Sequence, residues 1–306
     1  MPEQPVQPEQ PVQPEPSVQP EQPVVLITAA TGNVGPHAAA HLLQAGARVR
    51  ALVLPDDPNI GRLPEGVEIH RGDLGDPDTL DAALDGVDGV FLMWPFFSLP
   101  VDSAPTVLRK IEATARRVAF VSSVGVHIGL EPVDNNCHAY IEKLLEGTTL
   151  EWTFLRTTGF HCNSAMTFAD QVRTGDIVRF PYGAATRTSV HEGDLAAVGA
   201  KALTAEGHAR KAYLVSGPQA LSQAAQLQVI AEVTGRELTW EDIEHDAARK
   251  AMVDAGWPPS YADGALDYFE TLTRTPEVGS NVVEEVTGRP ARTFRDWVVE
   301  HTHLFH

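Results

Sequence analysis

The chain has 306 residues, 43% hydrophobic and 21% charged, which is enough for one large domain or two small ones. No run approaches the roughly 18 apolar residues of a membrane span, so no membrane partner is expected. With 23 Lys and Arg against 41 Asp and Glu, the formal charge of −18 repels phosphate backbones and makes nucleic acid an unexpected partner as well. Cys137 and Cys162 cannot build a disulfide framework and form no CxxC pair. No metal site is expected, and two reduced thiols suit a cytoplasmic protein.

Residues 1–23 are a low-complexity tail in which PEQPVQ-like units repeat four times with eight prolines and no Lys or Arg. Proline fixes φ and removes amide donors, so an extended, solvated arm is expected here. The lack of positive charge near the start argues against a signal or transit peptide.

From Val24 the pattern changes. VVLITA is a β-branched apolar run that reads as a buried strand, and HAAAHLLQAG reads as a helix ending at Gly46. There follow the strands RVRALVL and VEIHRGDL, helix DTLDAALDG, strand DGVFLMW and helix SAPTVLRKIEATAR. Strand RVAFVSSVG, helix HAYIEKLLEGT and strand EWTFLRTTGF complete this part. Strands alternating with helices of about ten residues predict an α/β fold, a doubly wound parallel sheet covered on both faces. After Phe160 the rhythm loosens. GDIVRFPYG, helix GDLAAVGAKALT and strand KAYLVSG could extend the sheet, and from Ser222 the chain is mainly helical. The expected division is a Rossmann domain over 24–160 and a smaller, mainly helical substrate region over 161–306, part of which returns to the sheet.

In such sheets ligands sit where the strand order reverses, at the carboxyl ends of the strands. The loop after the first strand runs Thr28-Ala29-Ala30-Thr31-Gly32-Asn33-Val34-Gly35. Gly32 lets amides approach a diphosphate, Gly35 lets the next helix pack on the sheet, and that helix offers its positive end. A dinucleotide is the expected ligand, with Ala29, Thr31, Gly32, Asn33, Val34 and Gly35 around it. At the end of the second strand the charges do not decide between NADPH and NADH. Asp56 and Asp57 suit a free ribose diol, whereas Arg50 and Arg62 suit a 2′-phosphate.

ITAATGNVG resembles the glycine-rich loop of the NmrA-like atypical short-chain dehydrogenase/reductases. The resemblance continues through VRALV, RGDL, VFLMWP, VAFVSSVG, HAYIEKLLEGTTLEWTFLRTTGF, YLVSGPQALS and GRPARTFRDWV, covering residues 24 to about 300. It implies an oxidoreductase with NADPH as coenzyme and NADH possible. It also implies cofactor contacts from Asp73, Leu74, Met93, Trp94, Ser122 and Phe160. Two positions depart from the family pattern. Its first glycine is Ala29, tolerable if φ there is negative, and the arginine that often ends its second strand is Leu54.

Carbonyl reduction needs a group that donates to the developing alkoxide. Short-chain dehydrogenases use Ser or Thr with Tyr-x-x-x-Lys, but here Tyr140 and Lys143 are three apart, and the lysine of the NmrA-like pattern is His138. His138, Tyr140 and Ser123 are the catalytic candidates, and the sequence leaves the proton donor open. Phe96, Phe97, His161, Tyr182 and Trp257 are expected to line a site for a small aromatic substrate. The family's aromatic-polyketide keto- and quinone reductases point the same way. A non-catalytic dinucleotide-sensing regulator and an isomerase or dehydratase are the rival readings. The oligomeric state is open.

Overall fold

The computed structural model describes residues 22–129 and 136–306. All but the last two residues of the proline-rich tail lie outside the described residues. The apolar runs form strands where expected. In chain order the elements begin β1 (Val24–Ile27), α1 (Gly35–Gln44), β2 (Arg48–Val53), β3 (Glu68–Arg71), α2 (Asp81–Leu84), β4 (Gly89–Leu92) and α3 (Ala104–Thr114). They continue with β5 (Arg117–Ser123), α4 (Val124–His127), α5 (Asn136–Glu146), β6 (Glu151–Thr157), α6 (Cys162–Thr174), β7 (Ile177–Arg179), β8 (Thr186–Arg187) and α7 (Glu192–Thr204). The last are β9 (Lys211–Val215), β10 (Leu221–Ser222), α8 (Gln223–Thr234), β11 (Thr239–Glu241), α9 (His245–Asp254), α10 (Pro259–Arg274), α11 (Val282–Thr287) and α12 (Phe294–Glu300).

Seven strands make one parallel sheet in the order β3-β2-β1-β4-β5-β6-β9. The order reverses between β1 and β4, which opens a crevice at their carboxyl ends. Side chains alternate between faces with the period of two that a strand imposes. Val25 and Ile27 join the core under α1 and α7, while Val24 and Leu26 join the core under α2, α3 and α5. Helix α7 lies so close to the sheet that a Cβ at Gly199 would stand 2.3 Å from the ring of Phe91.

Beyond β6 the sheet takes only β9. Helices α7 and α11 pack on the sheet core through Leu195, Val198 and Val283, and the remainder packs largely in two small clusters. One is built from Phe168 and Val172 of α6, Leu227 and Ile230 of α8, and Trp297 of α12. The other is built from Ala248 and Met252 of α9 with Ala262 and Leu266 of α10.

Candidate functional site

The crevice is pinned by one hydroxyl. Thr28 Oγ1 donates to the Met93 carbonyl and accepts from the Met93 amide, both at 2.8 Å, tying the ends of β1 and β4. Between them the loop turns sharply. Ala29 has φ +47°, and its carbonyl accepts from the Gly32 amide at 3.0 Å. The negative φ that would make an alanine tolerable at position 29 is therefore not what the loop adopts. An alanine occupies a left-handed position that glycine would hold without strain. Gly35 is fixed by packing, because a Cβ there would lie 2.1 Å from the Ala30 carbonyl oxygen. The amides of Asn33, Val34 and Gly35 meet no acceptor among the described residues. A run of unsatisfied amides at the positive end of α1 fits a diphosphate.

The rim at the end of β2 is more ordered than its sequence suggests. Thr31 Oγ1 donates to Asp57 Oδ2 at 2.6 Å, the Asn59 amide donates to Asp57 Oδ1 at 2.8 Å, and Arg62 Nη1 donates to the Thr31 carbonyl at 2.8 Å. The Thr31 hydroxyl and then the Asn59 amide hold the Asp57 carboxyl below its ordinary value. Arg71 donates to the Pro55 carbonyl, and Leu54 is exposed.

Several expected cofactor residues face elsewhere. Arg50 is turned to Glu68 and the carbonyls of Ala83 and Asp85, so its guanidinium is spent on tertiary structure. Asp73 accepts from the Gly75 amide at 2.7 Å within its own turn, and Leu74 is buried in the core. Trp94 is buried too, and its indole donates to the Leu99 carbonyl at 3.2 Å, stapling the loop that follows β4. Phe160 bridges Val190 and packs on the sheet core.

On the other side of the crevice both expected serines, Ser122 for the cofactor and Ser123 for catalysis, are occupied. Ser122 Oγ donates to Glu142 Oε1 at 2.6 Å, and Ser123 Oγ accepts from the Gly125 amide as the cap of α4. Glu142 is buried and accepts a two-pronged pair from Arg156 at 3.0 and 2.6 Å, which locks α5 to β5 and β6. One turn before Glu142, on the same helix face, is His138. It is 9% exposed, with its ring 5.0 Å from Phe96 and its Nδ1 3.3 Å from Cys137 Sγ. Tyr140 is two residues on, points around the helix to solvent, and does not share the site. Burial pushes His138 down to about 4. It is a neutral imidazole at pH 7, able to polarise an oxygen through an N–H but with little capacity to supply a proton.

Phe96 and Phe97 stand 4.4 Å apart, and Phe97, half exposed, meets Trp257 at 5.4 Å and Tyr261 at 5.3 Å. Tyr261, at the start of α10, was not among the sequence candidates. Its signal is the aromatic spacing in Trp257-Pro-Pro-Ser-Tyr261. Helix α10 is anchored by Tyr268, which donates to the buried Glu277, itself paired with Arg187. Tyr182 lies behind this wall in the α9–α10 cluster. It has φ +59°, and its hydroxyl is 2.8 Å from His245 Nδ1. His161 is turned away, 2% exposed, with its ring 5.3 Å from Phe294 and its Nδ1 3.0 Å from Ser189 Oγ. Asn33 and Cys162, by contrast, join the glycine-rich loop to α6 through a 3.3 Å Nδ2–Sγ contact.

Two outcomes follow for stability. Relief of the left-handed alanine minus the added freedom of the unfolded chain should make Ala29→Gly more stable by about 0.5–1 kcal/mol in chemical denaturation. Burial holds His138 at about 4 and is the leading cause holding His161 and His191 at about 3. Below the ordinary value of 6.5 the unfolded chain takes up protons that the folded chain refuses. Their contribution is therefore complete above that pH and drains away as pH falls toward 3–4. For His138 alone it amounts to about 3 kcal/mol, and denaturation of His138→Gln across that range should show a correspondingly flatter pH profile.

The NAD(P)H-binding family model matches residues 29–206. A Streptomyces griseus (4-alkanoyl-5-oxo-2,5-dihydrofuran-3-yl)methyl phosphate reductase is 37% identical over 292 residues, covering 92% of this chain and 99% of that protein. The NAD(P)H azoreductase of Xenophilus azovorans is 30% identical, with 92% and 99% covered. The NADPH-dependent quinone oxidoreductase of Escherichia coli, solved as a crystal structure, superposes with a TM-score of 0.76 at 22% identity, covering 92% of this chain and all of that one. The chain belongs to the NAD(P)H-binding family, on an NmrA-like atypical short-chain dehydrogenase/reductase fold.

Proposed function

We propose that the chain is an NAD(P)H-dependent reductase of a ketone or quinone carbonyl on a flat, polycyclic aromatic compound of the polyketide type. The observation that carries this reading is the wall of Phe96, Phe97, Trp257 and Tyr261, which ends inward on the neutral His138 beside the crevice. The reductase names of the relatives at 37% and 30% identity support the enzyme reading.

The loop amides of Asn33, Val34 and Gly35 would hold the coenzyme's diphosphate, and Thr31, Asp57 and Arg62 its adenosine ribose. When bound, the coenzyme supplies the hydride. The aromatic side chains hold a planar ring system by stacking and keep water from its inner edge. His138 orients and polarises the carbonyl oxygen. Glu142, held by Arg156, fixes the helix that carries His138 and thereby acts as a positioning residue.

A second reading rests on the same site. With Ser122 and Ser123 engaged and Tyr140 turned outward, His138 has no hydroxyl companion from the expected set, as a non-catalytic dinucleotide sensor would allow. Turnover separates the two. The purified chain should oxidise NADPH or NADH with menadione or a hydroxylated anthraquinone, and Phe97→Ala and Trp257→Ala should each raise KM roughly five- to tenfold with kcat little changed. Tight coenzyme binding without oxidation on any quinone or aromatic ketone would favour the sensor.

The rim of β2 makes a separate prediction, read by calorimetry without substrate. Asp57 accepts a ribose hydroxyl but repels a 2′-phosphate, so Asp57→Asn should weaken NADH about tenfold and tighten NADPH.

A further inference from the structure

We propose that the open cavity between α1, α7, α11 and the segment that follows α11 is a second ligand site, for a phosphate monoester carrying a small apolar body. The cavity measures about 340 Å³, the small end of the range of about 300–1,000 Å³ typical of small-molecule sites. It lies on the flank of α1 that carries His37, Ala40 and His41, away from the core-facing Ala38, Ala39 and Leu42 and apart from the loop amides at the helix end.

The lining runs against the composition of the chain. In a protein of formal charge −18, it presents two guanidinium groups and two imidazoles against a single carboxylate. That carboxylate is already spent. Asp194 accepts from the Arg292 amide at 2.7 Å and from Arg292 Nε at 3.0 Å. Arg292 is seated so closely that a Cβ on Gly193 would stand 2.3 Å from its Nη2, and it also reaches Glu300 at 3.8 Å. Arg289, exposed at the mouth, makes no ion pair among the described residues. One cation thus builds the wall and the other is left for a ligand. Ala197, Val283 and Pro290 supply the apolar surface for an organic body. A metal is the wrong ligand, because no cluster of three or more His, Cys, Asp or Glu with suitable geometry occurs among the described residues.

The imidazoles add a response to pH. His41 Nε2 lies 3.0 Å from the Gly193 carbonyl and His37 stacks edge-on against His191 at 5.9 Å. Both are held below their ordinary value, by burial first and then by cations: Arg292 for His37, Arg289 and Arg292 for His41. The other groups facing them are Asp194 from α7, Glu300 from α12, and His301 just past its end. A dianion beside Arg289 opposes the cationic influence and favours the protonated imidazoles, so binding takes up protons.

The test uses the full chain saturated with NADP⁺, so that the dinucleotide crevice is filled, and phenyl phosphate as probe. Calorimetry at pH 7 in buffers of different ionisation heat should register binding that is tighter than that of inorganic phosphate and that takes up protons. The ring resonances of His37 and His41 should shift on titration. Arg289→Glu, a change at an exposed side chain, should weaken binding at least tenfold. Absence of heat, binding unchanged in Arg289→Glu, or silent histidine resonances would overturn the proposal. So would binding that occurs only without NADP⁺, which would assign the phosphate to the crevice.

Discussion

The proposed dinucleotide crevice is arranged around two strand ends that the Thr28 hydroxyl ties together past the last bonds of their ladder. β1 and β4 are neighbours in the sheet but distant in sequence, and their paths diverge where the strand order reverses. Thr28, almost fully buried, spends its donor and one acceptor position on the backbone of Met93 and so closes the gap that the reversal opens. On one side of that clasp the chain turns through Ala29 into the amides that precede α1. On the other it passes Trp94, whose indole fastens the next loop, and so brings Phe96 and Phe97 into line. A valine at position 28 would keep the volume but leave the Met93 backbone unpaired, a cost of about 1–3 kcal/mol at the point where both halves of the site are set.

A second set of constraints is electrostatic. Burying a carboxylate is tolerable only when it is paired and hydrogen-bonded. Glu142 meets both conditions, with Arg156 on both oxygens and Ser122 on one of them. The consequence is mechanical: β5, β6 and α5 are joined at one buried point, and the histidine a turn earlier is held against Phe96. Nearby histidines follow the opposite route. With no carboxylate to pair with, His138 gives up its charge instead. The same hydroxyl that helps satisfy Glu142 is thereby withdrawn from chemistry.

Much of the fold was legible because it depends on short-range patterning. Strands such as Val24–Ile27 are continuous apolar runs, as strands buried on both faces must be. Helix α6 was missed, although Ala165, Phe168, Ala169 and Val172 stand at helical spacing. Its polar first turn, Cys-Asn-Ser, and its Thr residues weaken the local preference, and only packing against α8 and the C-terminal segment settles it. The glycine-rich loop was legible as a phosphate cradle, but the positive φ of Ala29 was not, since it follows from how the chain must rise from β1. Long side chains were hardest to read. Arg50 is near the crevice in sequence, yet its reach takes it to Glu68 and the carbonyls of Ala83 and Asp85 at the end of α2. Ser122 and Tyr140 are the right residue types at nearly the right spacing. Which face each occupies is decided by Glu142 and by the helix register, neither of which short-range spacing reports.

The chemistry of the site narrows the substrate in its own way. A neutral imidazole can stabilise charge by hydrogen bonding, but it is a weak source of protons at pH 7. An isolated ketone ends as an alkoxide, far too basic to leave unprotonated, and would demand a stronger donor than His138 supplies. A quinone spreads the same charge over its ring and ends near the basicity of a phenolate, with a pKa of roughly 10 as for tyrosine, and a ketone flanked by a phenol hydroxyl reaches a phenolate too, by taking that hydroxyl's proton onto its new alkoxide. Such an oxygen needs orientation and one good hydrogen bond, and bulk water can complete the protonation after release. In the proposed complex the same planarity that delocalises the charge would present two flat faces to Phe96, Phe97, Trp257 and Tyr261. On the proposed reading, recognition and reactivity ask for one kind of molecule, and a donor-poor site lined with rings is consistent where a donor-poor site lined with polar groups would not be.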